Sequence, residues 1–143
     1  MRNLNRSPLP ESGANQTTRN SARILMLDDE ESLRTLFSRI CRKRGHVLTG
    51  VETLEEALQA LSEQEFDLML MDMNLIWLTG IQALEQIRAA GYQLPAIIFS
   101  CAVELEDLNS MKHLGVIGIM DKSHNNEALF ELIDKQLEAK SSA

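Results

Sequence analysis

The chain has 143 residues, 44% of them apolar, and a formal net charge of −7. That is enough length and apolar content for one domain with a real core. The acidic balance excludes a general nucleic-acid surface and fits a cation site of clustered carboxylates. No apolar run approaches membrane-spanning length, and the N-terminus lacks the apolar core of a signal peptide, so a cytoplasmic location is expected. Cys41 and Cys101 have no metal-ligand spacing and read as reduced, buried thiols.

Residues Met1 to about Ala22 are polar and carry Pro8, Pro10 and Gly13, which predicts a disordered extension. A first strand, Arg23 to Leu27, runs into Asp28-Asp29-Glu30-Glu31, and acidic residues suit the helix start that follows. Leu33, Leu36, Phe37, Ile40 and Cys41 form an i, i+3, i+4, i+7, i+8 stripe, the expected inner face of that helix. Its basic last turn, Arg42-Lys43-Arg44, complements the dipole, and Gly45 is the expected terminator. A second strand spans about Val47 to Val51, and Thr53-Leu54-Glu55-Glu56 is a capping box for a second helix.

The third strand is Phe66 to Asp72, a continuous apolar run ending in a carboxylate. Such a run predicts a strand buried on both faces of a parallel sheet. A loop follows, and a third helix runs from about Thr79 to Ala90, ended by Gly91. A fourth strand, Ala96 to Phe99, leads into Ser100, and a fourth helix is expected from about Glu104 to Leu114. A fifth strand, Val116 to Met120, leads to Asp121-Lys122, and a fifth helix starts near Asn126 with Leu129, Leu132, Ile133 and Leu137 inward. Strands alternating with helices give an α/β fold, a parallel sheet with helices on both faces. The domain spans 23–139, and 140–143 are a short tail.

In such a sheet the strands' carboxyl ends share one edge, where ligands bind. Asp28, Asp29, Asp72, Ser100 and Lys122 all fall at strand ends and converge there. Two carboxylates about 4 Å apart repel by roughly 4 kcal/mol at an effective dielectric near 20. A hard divalent cation relieves this, and Mg²⁺ typically takes one or two carboxylates plus phosphate oxygens. An aspartate beside a metal and a lysine is suited to accept a phosphoryl group.

The acidic pair after the first strand, the Asp72-to-Gly80 loop, Ser100-Cys101-Ala102 and Asp121-Lys122, in this order and spacing, resemble the receiver domain of bacterial two-component response regulators. The resemblance implies a flavodoxin-like, doubly wound, five-stranded parallel sheet of order 2-1-3-4-5 with five helices. It implies that Asp72 is the phosphoacceptor, Ser100 the switch hydroxyl, and Lys122 the ion-pair partner of the phosphoryl group and the carboxylate. Mg²⁺ would bind to Asp29, Asp72 and the backbone carbonyl of Asn74, with Asp28 holding a metal-bound water. It further implies a single-domain, stand-alone phosphoprotein rather than an enzyme. A histidine kinase or phosphotransfer protein would donate the phosphoryl group. Output would run through protein–protein contact, and a dimer could form through the fourth helix, fifth strand and fifth helix.

Four positions depart from the family pattern. Ile76 and Ser123 stand where Pro is common, Ile119 stands where an aromatic is common, and Trp77, the only tryptophan, lies in the phosphoacceptor loop. These bear on output rather than on the acidic pocket. Trp77 either covers apolar surface or contacts a partner. One competing reading is a receiver-like interaction module that signals without phosphorylation. Another is an aspartate-nucleophile hydrolase, against which Asn74 stands where a second carboxylate is needed. A flavodoxin-like cofactor binder lacks a Ser/Thr-rich phosphate loop after the first strand. His46, His113 and His124 form no ligand set.

Overall fold

The computed structural model describes residues 21–100, 111–121 and 127–142. Five strands, β1 (Arg23–Leu27), β2 (Val47–Val51), β3 (Leu68–Asp72), β4 (Ala96–Ser100) and β5 (Val116–Asp121), form one sheet of order β2-β1-β3-β4-β5. Every pairing is parallel. The helices are α1 (Glu31–Lys43), α2 (Leu54–Glu63), α3 (Gly80–Ala89) and α4 (Glu127–Ser142), with a short 3-10 turn at Lys112–Leu114. Among the described residues there are thus four α-helices where five were expected. The helix expected over about Glu104 to Leu114 lies outside the described residues except for its last turn, which is the 3-10 segment. The extension before residue 21 and the expected start of the fifth helix near Asn126 also lie outside them.

The sheet separates two apolar layers, and the strand period of two decides which residue joins which. Leu25, Leu27, Met69, Met71 and Ile98 face α2 and α3, meeting Ala57, Leu61, Leu84 and Ile87. Ile24, Met26, Leu68, Leu70 and Phe99 face the other way, toward Phe37 and Cys41 of α1 and Phe130, Ile133 and Leu137 of α4. β3 is central and buried at every position, which explains its unbroken apolar sequence. Leu36, expected inward, is 50% exposed. Phe37, Ile40 and Cys41 fill the narrow strip of α1 that meets the sheet, leaving Leu36 at its margin. Burial pushes the Cys41 thiol up to about 11, so it behaves as an apolar core residue. Cys101 lies outside the described residues.

Local chemistry fixes the element ends. α2 carries the expected capping box, Thr53 accepting from the Glu56 N–H while Glu56 accepts from the Thr53 N–H. α3 has an equivalent box from Thr79 and Gln82. Gly45 and Gly91 end α1 and α3 at φ +84° and +103°, where a side chain would strain the backbone. Arg88 near the end of α3 donates to the Leu114 and Tyr92 carbonyls, and burial lowers its pKa. Among the described residues no helix is long and apolar enough to cross a membrane.

Candidate metal centre

The parallel register brings the ends of β1, β3, β4 and β5 to one edge. Asp72 pairs with Phe99, and Ser100 pairs with Asp121. Asp28 follows β1 directly and is fully buried, Asp72 closes β3 at 4% exposure, and Asp29 is partly exposed. Each of the three offers a carboxylate oxygen, and these oxygens lie within 4.8 Å of one another. At that separation two full charges repel by roughly 3.5 kcal/mol at an effective dielectric near 20. A hard divalent cation with oxygen ligands matches both this donor set and its spacing.

Backbone amides hold the carboxylates in place. Asp28 Oδ1 accepts from the Glu30 N–H at 2.8 Å, and Asp72 Oδ1 accepts from the Asn74 N–H at 3.1 Å. Both are turns in which an Asp accepts from the amide two residues on. The Asp28 N–H donates to the Val51 carbonyl, and Arg34 Nη1 donates to the Asp28 carbonyl at 2.6 Å. Behind Asp72, the Met73 N–H donates to Phe99 and the Gly80 N–H donates to Met73, tying the start of α3 to the end of β3. A Cβ at Gly80 would run into the Asp72 carbonyl oxygen. The glycine that closes the loop therefore allows the close approach of α3 that shapes the acidic edge.

Among the other expected site residues, Asn74 is exposed and bridges to Thr79 across the loop. Ser100 ends β4 on the acidic edge, while Lys122 lies outside the described residues. Trp77 is 90% exposed and Ile76 66% exposed. Together with Asp29, Glu52 and Glu55 they line a cavity of about 420 Å³ beside the carboxylates. Sequence reasoning missed this shared cavity and the Thr79–Gln82 box, although the Thr-x-x-Gln spacing was there to read. The Arg34 bond to Asp28 has no sequence signal, because it depends on how α1 lies beside β1.

The structure is thus a doubly wound parallel domain whose carboxyl edge gathers two carboxylates that follow β1 and one that closes β3. The chain belongs to the response regulator receiver domain family, whose model matches residues 24–134. It is therefore a receiver domain of two-component signalling, a signalling domain rather than a classical enzyme; phosphorylation and magnesium are typical of the family. Sporulation initiation phosphotransferase F of Bacillus subtilis is 25% identical over 119 residues, covering 83% of this chain and 96% of that protein. The sensory/regulatory protein RpfC of Xanthomonas campestris pv. campestris is 28% identical over 106 residues, 71% of this chain but 15% of that protein. The chain thus spans a minor part of some curated relatives. Among solved structures, the CheY-like receiver domain protein of Methanospirillum hungatei matches with a TM-score of 0.75 at 23% identity, covering 85% of this chain and 97% of that one. The response regulator TrrA of Thermotoga maritima, solved in complex with Mg²⁺-BeF, matches with a TM-score of 0.68 at 24% identity, covering 81% of this chain and 99% of that one.

Proposed function

We propose that Asp72 accepts a phosphoryl group from a phosphohistidine of a kinase or phosphotransfer protein, in a Mg²⁺-dependent step of two-component signalling. The observation that carries this reading is the convergence of the Asp28, Asp29 and Asp72 oxygens within 4.8 Å at the carboxyl edge of the sheet. A metal there would be held by Asp29, Asp72 and the Asn74 carbonyl, with Asp28 binding a coordinated water. When bound, Mg²⁺ supplies positive charge that neutralises the carboxylates and the phosphoryl oxygens.

The chain's own groups do the rest. A carboxylate oxygen of Asp72 attacks phosphorus, the donor's P–N bond breaks, and its electron pair stays on the donor nitrogen. The Asn74 N–H on Asp72 Oδ1 fixes which way the carboxylate turns. Lys122 pairs with the new phosphoryl oxygens, and the Ser100 hydroxyl moves to donate to them. The added charge and acceptors then bias the face around β5 and α4, the face that a downstream protein or a second copy would meet. In this reading 23–139 are the working domain, flanked by 1–22 and by 140–143, into which the end of α4 continues. The chain assists its own phosphorylation and dephosphorylation and performs no other catalysis. The exchange takes place in the cytoplasm, whose reducing poise suits the unpaired Cys41.

The test is intact mass after incubation with a small-molecule phosphodonor, with and without Mg²⁺, on wild type and Asp72→Asn. A Mg²⁺-dependent gain of one phosphoryl group in wild type alone is expected. A gain that persists in Asp72→Asn refutes the assignment. No gain by folded wild type, even with purified phosphohistidine donors, would leave the phosphorylation-independent module as the reading.

A further inference from the structure

Helix α1 carries a second cluster that the acidic edge does not use. On its flank toward the edge strand β2, Arg34, Ser38, Arg39 and Arg42 line an open cavity of about 440 Å³ that Leu48 and Gly50 help to enclose. Arg34, Ser38 and Arg42 follow one another at the i, i+4, i+8 spacing, so they form one row. Among the described residues no carboxylate lines the cavity, and none of the guanidinium groups of Arg34, Arg39 and Arg42 makes an ion pair. This is a concentration of positive charge on a chain whose net charge is −7.

The chemistry selects the occupant. The lining presents guanidinium forks and hydroxyls, nearly all donors, and so suits a ligand rich in acceptors. Guanidinium binds phosphate in bidentate fashion. Three such charges roughly match two phosphoryl groups, each about −1.5 to −2 at neutral pH. The volume falls within the range of small-molecule sites, about 300–1,000 Å³. An acidic protein segment would need apolar anchors at its centre, and among the described residues Leu48 is the sole large apolar side chain lining the cavity.

Arg34 also reaches elsewhere. Its Nη1 donates to the carbonyl of Asp28, one of the three clustered aspartates. Gly50 makes room for this, since a Cβ there would lie 3.1 to 3.4 Å from the Arg34 stem. One guanidinium therefore joins the cavity to the backbone of the acidic edge. We propose that this flank binds a small molecule carrying two or more phosphate groups, and that Arg34 relays its occupancy to the Asp28 turn. The site stands independently of the phosphoacceptor assignment.

The test titrates the full chain with inorganic pyrophosphate in the absence of Mg²⁺, read by calorimetry and by backbone amide resonances. Saturable binding is expected, weakened at least tenfold in Arg39→Gln and in Arg42→Gln and unchanged in Lys112→Gln, whose lysine is exposed elsewhere. The arginine variants should keep the wild-type melting temperature, because both side chains are exposed. The Asp28 and Glu30 amides should shift in wild type and stay fixed in Arg34→Gln. Absence of saturable binding, or equal binding by Arg39→Gln and Arg42→Gln, overturns the site. Equal competition by a poly-glutamate peptide overturns the phosphate chemistry in favour of an acidic protein. Binding that leaves the Asp28 and Glu30 amides unmoved overturns the relay.

Discussion

Replacing Asp29 by Asn should make the metal-free protein more stable while removing its response to Mg²⁺. Its carboxylate offers an oxygen within 4.8 Å of those of Asp28 and Asp72. At that distance each pair of full charges repels by roughly 3.5 kcal/mol at an effective dielectric near 20, and by roughly 0.9 kcal/mol in bulk water. Asp29 is partly exposed, which moves its share toward the lower figure. Removing one charge that faces two others should then raise stability by about 1–3 kcal/mol. The amide keeps the shape and offers one neutral oxygen, so the fold is retained and the cation loses a ligand charge. The assay is urea unfolding in chelator and again in excess Mg²⁺. At a hundredfold excess over Kd, Mg²⁺ should add about 2.7 kcal/mol to wild type and little to Asp29→Asn. A variant that is less stable than wild type in chelator, or that gains as much from Mg²⁺, would refute the reasoning.

Gly80→Ala should destabilise the fold by about 1–3 kcal/mol despite the better helix former, because its Cβ meets the Asp72 carbonyl; chemical denaturation with a Mg²⁺ titration checks this, and unchanged values would mean that α3 can retreat without moving Asp72. His46 is buried, its Nδ1 accepts from the Ala22 N–H at 2.9 Å, and its ring stacks on Phe130. Burial lowers its pKa, with Arg44 adding to the effect and Asp134 opposing it. The unfolded chain therefore takes up the proton first, so stability is complete above about pH 6.5 and falls as pH drops below that value. Melting curves at pH 7.5 and 5 on wild type and His46→Asn, which keeps an acceptor near Nδ1 but does not titrate, should show a smaller acid loss in the variant. Mg²⁺ should change Trp77 fluorescence, because Trp77 and Asp29 line the same cavity; a flat titration in protein shown to bind Mg²⁺ would separate that cavity from the metal.

The sequence by itself determined the five strands, the parallel architecture and the acidic edge. Its signals there are local: a continuous apolar run in β3, a capping box at Thr53, glycines past the ends of α1 and α3, and carboxylates after strands. A strand–helix alternation brings all strand ends of one polarity to one edge, so Asp28 and Asp72 could be grouped without coordinates. The inner face of α1 was less legible. Helical periodicity finds a stripe but not how wide a strip the sheet covers, and Leu36 fell outside it. Only the tertiary structure decided the contacts between elements distant in the chain. Gly80 had to be glycine because the first residue of α3 lies against the Asp72 carbonyl. Arg34 reaches Asp28 because Gly50 leaves room for its stem, and His46 became an acceptor because the Ala22 N–H meets its Nδ1. Periodicity and caps act within one element and are written in consecutive residues. Close approach, burial and shared cavities arise from how elements meet, and no run of consecutive residues records them.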